Sequence, residues 1–274
     1  MGIKKILKSI LGVIRPVNKT VAMITYTAPN NRLKGMNIII TGGGRGLGAA
    51  MAEKFVNEGA NILIAGRDEN TLKETANKIG CQYLVLDVAD VAFFDKFLDD
   101  AELKIGKING LVNNAGISLH ESTFFDVTPE TFDSQVSINM RAGYFLTQKL
   151  AKRWLDNSQK GNVLFISSET GDMMDFRPYG FTKVAVNSMV QGLAYLFAKQ
   201  GIRINAVAPG VTMSDMTGKR STDNIYYSRN MLGRVYMPEE VAETACFLMS
   251  EVSGCISGQI ITCNNAKSIN ARWK

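Results

Sequence analysis

From Lys34 onward, short apolar runs alternate with stretches of helical period. Asn37–Thr41, Asn61–Ala65, Tyr83–Leu86, Gly110–Asn113, Asn162–Ser167 and Arg203–Ala208 are too short for buried helices and predict strands. Between them, apolar residues recur at helical spacing over Gly46–Asn57, Glu69–Ile79, Val91–Leu103, Pro129–Asp156 and Tyr179–Lys199. A helix at Pro238–Met249 and a strand at Gln259–Thr262 close the series. This strand–helix order predicts an α/β domain, a doubly wound parallel sheet with helices on both faces.

The two ends follow a different pattern. In Met1–Arg15, Ile3, Ile6, Leu7, Ile10, Leu11 and Ile14 lie at helical spacing with Lys4, Lys5 and Lys8 between them, and Pro16 ends the run. That is a short basic amphipathic helix, suited to peripheral contact with a membrane interface and equally to docking on a protein surface. It is too short and too charged to span a bilayer. It has no clear cleavage site, and Ile6 breaks a myristoylation pattern at Gly2. Residues 16–34 read as a linker. The expected divisions are residues 1–32 (helix and linker), 33–266 (the α/β domain) and 267–274 (a basic tail).

Charge changes the picture once it is counted by segment. The 274 residues carry a net +6, but residues 1–34 hold seven Lys/Arg and no acid, and residues 267–274 hold three and no acid. The remaining 21 basic and 25 acidic residues leave the body at −4, which argues against a nucleic-acid-binding face. Four scattered cysteines and the single histidine, His120, exclude zinc and His-cluster chemistry and suit a reduced, cytoplasmic protein.

Three patterns carry chemistry. Thr41-Gly42-Gly43-Gly44-Arg45-Gly46-Leu47-Gly48 joins the first strand to the first helix, where glycines let the backbone approach a pyrophosphate at the helix N-terminus. At the tip of the second strand, Gly66 and Arg67 stand where an NAD site carries a carboxylate for the ribose 2′-OH. With Arg45 nearby, two guanidiniums favour a 2′-phosphate, hence NADP(H) over NAD(H). Asp68 is placed to pair with Arg67 and weaken that preference. Tyr179 and Lys183 are four apart, on one helix face, with Ser168 eleven residues upstream. A cation there should lower the phenol pKa and make proton exchange practical near neutrality.

The order of these motifs resembles the short-chain dehydrogenase/reductase family, in its compact single-domain, Rossmann-type form. Asp87-Val88, Asn113-Asn114-Ala115-Gly116, Asn139, Ser167-Ser168, Asn205-Ala206-Val207-Ala208-Pro209-Gly210 and Ser257-Gly258-Gln259 fall in the family's order, from about Leu33 to Ala266. The resemblance implies a catalytic tetrad of Asn139, Ser168, Tyr179 and Lys183. Tyr179 is then the general acid/base and Ser168 holds the substrate oxygen. Lys183 tunes Tyr179 and binds the nicotinamide ribose, and Asn139 holds a water in a proton relay. Ser167 is the alternative hydroxyl. For the cofactor the resemblance implies Gly42, Gly44, Arg45, Gly46, Leu47 and Gly48, with Arg67 at the ribose. Asp87 and Val88 would meet adenine, Asn113, Ala115 and Gly116 the adenosine ribose and nearby backbone. Tyr179 and Lys183 would flank the nicotinamide, with Pro209, Gly210, Val211 and Ser214 about its carboxamide. No metal is expected.

The chain departs from the family pattern at three places. The Ser168–Tyr179 interval is about two residues short, Asn264-Asn265-Ala266 replaces the usual Asp-Gly-Gly, and the N-terminal helix is an addition. Met213–Tyr236 is expected to form a substrate lid. The favoured function is an NADP(H)-dependent oxidoreductase interconverting a small carbonyl and an alcohol, as a homodimer or homotetramer. A sugar-nucleotide epimerase or dehydratase, and a non-catalytic cofactor-binding scaffold, are the alternatives.

Overall fold

The computed structural model describes residues 30–214, 216, 218 and 224–269. The amphipathic pattern of residues 1–15, the linker up to residue 29 and residues 270–274 lie outside the described residues. Seven strands form one parallel sheet: β1 (Asn37–Thr41), β2 (Asn61–Gly66), β3 (Gln82–Val85), β4 (Gly110–Asn113), β5 (Gly161–Ile166), β6 (Ile202–Pro209) and β7 (Ile260–Cys263). Their order is β3-β2-β1-β4-β5-β6-β7. The helices are α1 (Gly46–Asn57), α2 (Glu69–Ile79), α3 (Phe94–Ile105), α4 (Pro129–Val136), α5 (Ala142–Asp156), α6 (Pro178–Phe197) and α7 (Pro238–Met249).

The apolar runs are continuous because both sheet faces are covered. In β1 the three isoleucines are all fully buried, yet they serve different cores. Ile39, with Leu63, Leu111, Val163 and Ile204, packs beneath α3, α5 and α6. Ile38 and Ile40, with Ile62, Ile64, Val112 and Leu164, pack beneath α1, α2 and α7. The pleat's two-residue period divides the chain between two hydrophobic layers. Strand order reverses between β1 and β4, so their carboxyl ends splay apart and open the cleft where α/β sheets bind ligands.

Two expected elements are altered. The single helix expected over Pro129–Asp156 is interrupted by a π-helical turn at Ser137–Arg141, and Val91–Phe93 is a 3₁₀ turn ahead of α3. Both ends of the domain are also packed further than expected. Leu33 is fully buried, and the buried Glu58 carboxylate accepts from the main-chain nitrogens of Asn30 and Arg32 at 3.2 Å each. Arg32 Nη2 and Lys54 Nζ pair with the same carboxylate at 2.6 and 3.2 Å. Burial works against that charge, but these hydrogen bonds prevail and hold Glu58 at about 2. Residues 30–34, read as linker, are therefore bolted to the end of α1. Lys267 and Ser268, read as tail, also hydrogen-bond to the domain.

Candidate active site

The glycine turn closes against the end of β4. Thr41 Oγ1 donates to the Val112 carbonyl at 3.3 Å and accepts from the main-chain N–H groups of Asn114 and Ala115 at 3.1 Å each. Asn114 Nδ2 returns the contact, donating to the carbonyls of Thr41 at 2.8 Å and Gly42 at 3.0 Å. Beyond its place in the motif, Asn114 thus staples the two cleft-forming strand ends together. Gly42 has φ +64°, and a Cβ on Gly48 would lie 2.2 Å from the Gly42 oxygen. The N-cap residue Arg45 makes no side-chain capping bond to α1, and no acid lies in the helix's first turn. A tight glycine cradle opening onto a helix N-terminus fits a dinucleotide pyrophosphate. Ser214, from the far side of the cleft, reaches this loop, its Cβ 3.5 Å from where a Cβ on Gly46 would sit.

At the β2 tip, Arg67 and Arg45 are both exposed. Asp68 is engaged in capping α2, its carboxylate accepting from Thr71 N at 2.9 Å, and that bond holds it below the usual carboxylate range. Val88 is buried, whereas Asp87 is exposed and turns its carboxylate to Ala89 N. The Asn113 amide points inward, to Thr147 Oγ1 at 3.0 Å.

The catalytic candidates converge from three elements. Asn139 sits on the π-helical turn, where it accepts from Ile117 N at 2.8 Å and donates to Ile117 O at 2.9 Å and Thr182 Oγ1 at 3.3 Å. The two Ile117 bonds pin the loop after β4. Lys183 is buried on α6 with its ammonium donating to the Ile166 carbonyl at 2.8 Å, 5.4 Å from the Tyr179 ring centroid. A Cβ on Gly116 would lie 3.4 Å from Asn139 Oδ1 and 3.8 Å from Lys183 Nζ, so these side chains flank one small space. Ser168 caps the 3₁₀ turn Glu169–Asp172 by accepting from Thr170 N at 3.2 Å, and its side chain is near enough to the Tyr179 phenol to favour the ionised form. Ser167, the alternative hydroxyl, is engaged on the other side, donating to Asn187 Oδ1 at 2.6 Å.

The electrostatics differ from the expectation in one respect. Burial pushes the Tyr179 phenol up, opposed by Ser168 and by the Arg177 charge, and pushes the Lys183 ammonium down to about 8. The cation that was expected to stabilise a tyrosinate is itself weakened by desolvation and turned to a carbonyl.

Past β6, the Gly210 N–H donates to Cys263 O and the Val211 carbonyl accepts from Tyr236 N, both at 3.0 Å, folding the Pro209–Ser214 stretch back under the expected lid. The short Ser168–Tyr179 interval is held by Asp175. Its carboxylate accepts from Arg177 Nε at 2.8 Å and Nη2 at 2.9 Å and packs on Gly180 in the first turn of α6. Among the described residues no His/Cys/Asp/Glu group is arranged to hold a metal ion.

With fold and site in place, the relatives agree. Residues 42–265 match the family model described as enoyl-(acyl carrier protein) reductase. The chain is 31% identical over 249 residues to the L-rhamnose 1-dehydrogenase (NADP(+)) of Thermoplasma acidophilum, covering 86% of this chain and 98% of that one. It is 34% identical to a tropinone reductase homologue of Arabidopsis thaliana, covering 87% and 95%. The structure superposes with a TM-score of 0.80 on 3-ketoacyl-(acyl-carrier-protein) reductase from Brucella melitensis complexed with NADH, at 31% identity over 86% of this chain and all of that one. The chain belongs to the short-chain dehydrogenase/reductase family. It is an oxidoreductase of that family, with a nicotinamide cofactor.

Proposed function

We propose that the protein interconverts a small carbonyl compound and its alcohol with NADP(H), using Ser168, Tyr179, Lys183 and Asn139. The observation that carries this reading is the grouping of Ser168, Tyr179 and buried Lys183, its ammonium 5.4 Å from the Tyr179 ring centre, at the carboxyl end of the sheet. When bound, the nicotinamide donates or accepts the hydride. Ser168 donates a hydrogen bond to the substrate oxygen and Tyr179 delivers or removes its proton, so that developing alkoxide charge meets two oriented donors. Lys183, near neutrality in its buried site, takes part in returning that proton. Asn139, bonded to Ile117 and Thr182, fixes the floor of the site.

Arg45 and Arg67, with Gly66 rather than a carboxylate at the β2 tip, support NADP(H). The NADP(+) named for the Thermoplasma relative supports the same preference, whereas the Brucella relative carries NADH. Exposed Phe181, Tyr195 and Leu196 on α6 and Tyr144 on α5 support pairing of subunits through these helices. Residues 1–15 are proposed to contact a membrane surface peripherally, and their deletion should reduce sedimentation with anionic liposomes.

The decisive experiment is an NADPH-oxidation screen across a carbonyl panel that includes sugar-derived and acyl carbonyls, run beside Tyr179→Phe. Turnover that survives Tyr179→Phe would remove the phenol from its role, and equal affinity for NADPH and NADH would overturn the 2′-phosphate reading.

A further inference from the structure

Directly after Ser168, a carboxylate is buried where the site has no use for one. Glu169 is 5% exposed. Its Oε1 pairs with Lys267 Nζ at 2.5 Å, and its Oε2 accepts from Asn264 Nδ2 at 3.2 Å. Both partners come from the segment that follows β7. Asn264 is 2% exposed and also donates to Ser268 Oγ at 3.0 Å. Tyr236, at the base of the expected lid, completes the cluster: it is 5% exposed and its buried hydroxyl has no hydrogen-bond partner among the described residues. The group closes around Gly210 at the end of β6. A Cβ there would lie 2.8 Å from the Tyr236 ring, 3.0 Å from Asn264 Cβ and 3.1 Å from Glu169 Oε2.

This arrangement gives a physical reason for the departure at Asn264. An aspartate in its place would set a second carboxylate about 3 Å from Glu169 in a buried site, with only Lys267 to balance both. The amide donates where a carboxylate would repel. Glu169, Asn264 and Lys267 are thus mutually dependent, and the first of them is the chain neighbour of Ser168.

We propose that Lys267 and Asn264 clamp Glu169 and so position the Ser168–Tyr179 pair, making the segment after β7 a working part of the site. The inference rests on Tyr179 being the proton-transfer group. Glu169 touches no reacting atom; it acts through the turn that carries Ser168 and through its charge. Tyr179 is raised first by burial, and the Glu169 carboxylate adds to that. Lys267, paired with that carboxylate, offsets its charge.

The other groups about this pair are accounted for. Arg177 and Asp175 face Tyr179 as an ion pair, with Glu121 acting on Arg177 from outside. Lys183 lies on the phenol's own helix. Asp172 is held by Asn187 at 3.2 Å and Thr262 at 3.4 Å. Arg234 pairs with Glu240 behind Tyr236. Among these described groups, Lys267 is the cation paired directly with Glu169.

The test is ultraviolet difference titration of phenol ionisation on the full chain, taken against Tyr179→Phe to isolate one of eight tyrosines. Lys267→Met should move the Tyr179 transition up, and Glu169→Gln should move it down, each by roughly one pH unit, the scale of a neighbouring charge. The double variant should return close to the parent, and Lys267→Arg should match it. The rising limb of alcohol oxidation, with the substrate found by the carbonyl screen, should follow the same displacements. Two variants moving the transition the same way, or neither moving it, would overturn the clamp. A moving transition with a stationary activity limb would uphold the clamp and instead remove Tyr179 from proton transfer. Should Glu169→Gln not fold, the Lys267→Met and Lys267→Arg pair decides alone.

Discussion

The Lys183 ammonium lies 5.4 Å from the centre of the Tyr179 ring, one helical turn along α6, and gives its hydrogen bond to the Ile166 carbonyl. Burial lowers it from an ordinary 10.5 to about 8. The unfolded chain keeps that proton up to about pH 10.5 while the folded chain releases it above about 8. In between, the unfolded state binds more protons, so this group makes stability rise with pH across that window. A depression of this size costs about 3 kcal/mol at neutral pH. Leaving Ile166 O without its donor costs about 1–2 kcal/mol in return. Lys183→Met should therefore gain about 1–2 kcal/mol at pH 7, a Tm higher by about 2–6 °C, while activity falls. Thermal melts at pH 7 and pH 10 check it: the gain should shrink at the higher pH.

Tyr179→Phe keeps the ring and removes only the phenol oxygen. Turnover should fall at least ~10²-fold, the ordinary contribution of a positioned general acid. Cofactor binding should persist, because the glycine loop is anchored by Thr41 and Asn114 rather than by α6. Since burial raises the phenol, alcohol oxidation in the parent protein should climb through alkaline pH, and that limb should vanish in the variant. Stopped-flow turnover set beside cofactor fluorescence titration separates the two effects.

The fold was legible because both of its signals are local. Apolar runs such as Ile38-Ile39-Ile40 mark strands buried on two faces, and helical periods between them demand parallel connections. The order of the motifs marked the candidate site for the same reason. The misses are tertiary. The break at Ser137–Arg141 leaves no Pro or Gly signature, and its Asn139 is held by Ile117 from another element. The sequence marks Asn114 only as part of a motif and does not mark Glu169 at all, since their partners lie at sequence distances of 73 and 98. The expected influence of Lys183 on Tyr179 rests on spacing and on the family resemblance, and neither carries information about desolvation.

Glycines in one cleft should respond differently to substitution. At Gly48 a Cβ would sit 2.2 Å from a main-chain oxygen, so Gly48→Ala must displace the turn and should abolish dinucleotide binding. At Gly66 a Cβ meets only Leu72, at 3.6 Å. Gly66→Asp should therefore fold normally and add the carboxylate that pairs with a ribose 2′-OH and repels a 2′-phosphate. The NADPH-to-NADH affinity ratio should drop at least ~10-fold, equivalent to about 1.4 kcal/mol. An unchanged ratio would show that the β2 tip does not set cofactor choice.

Asn114 provides a test of the cradle that leaves the reacting groups untouched. Its amide nitrogen serves the carbonyls of Thr41 and Gly42, the two residues that begin the glycine turn. Asn114→Ala leaves those part-buried carbonyls without their donor, at about 1–3 kcal/mol of stability. The turn then loses its fixed distance from β4, while Ser168, Tyr179 and Lys183, carried by the turn after β5 and by α6, keep theirs. KM for the cofactor should rise at least ~10-fold and kcat at saturating cofactor should fall by less than about threefold, the mark of lost uniform binding rather than of a contact made only in the transition state. Asn114→Asp separates geometry from charge. It matches the side chain in shape but carries no donor, so it should behave no better than alanine, and a near-normal Asn114→Asp would show that the amide bonds are not what holds the loop.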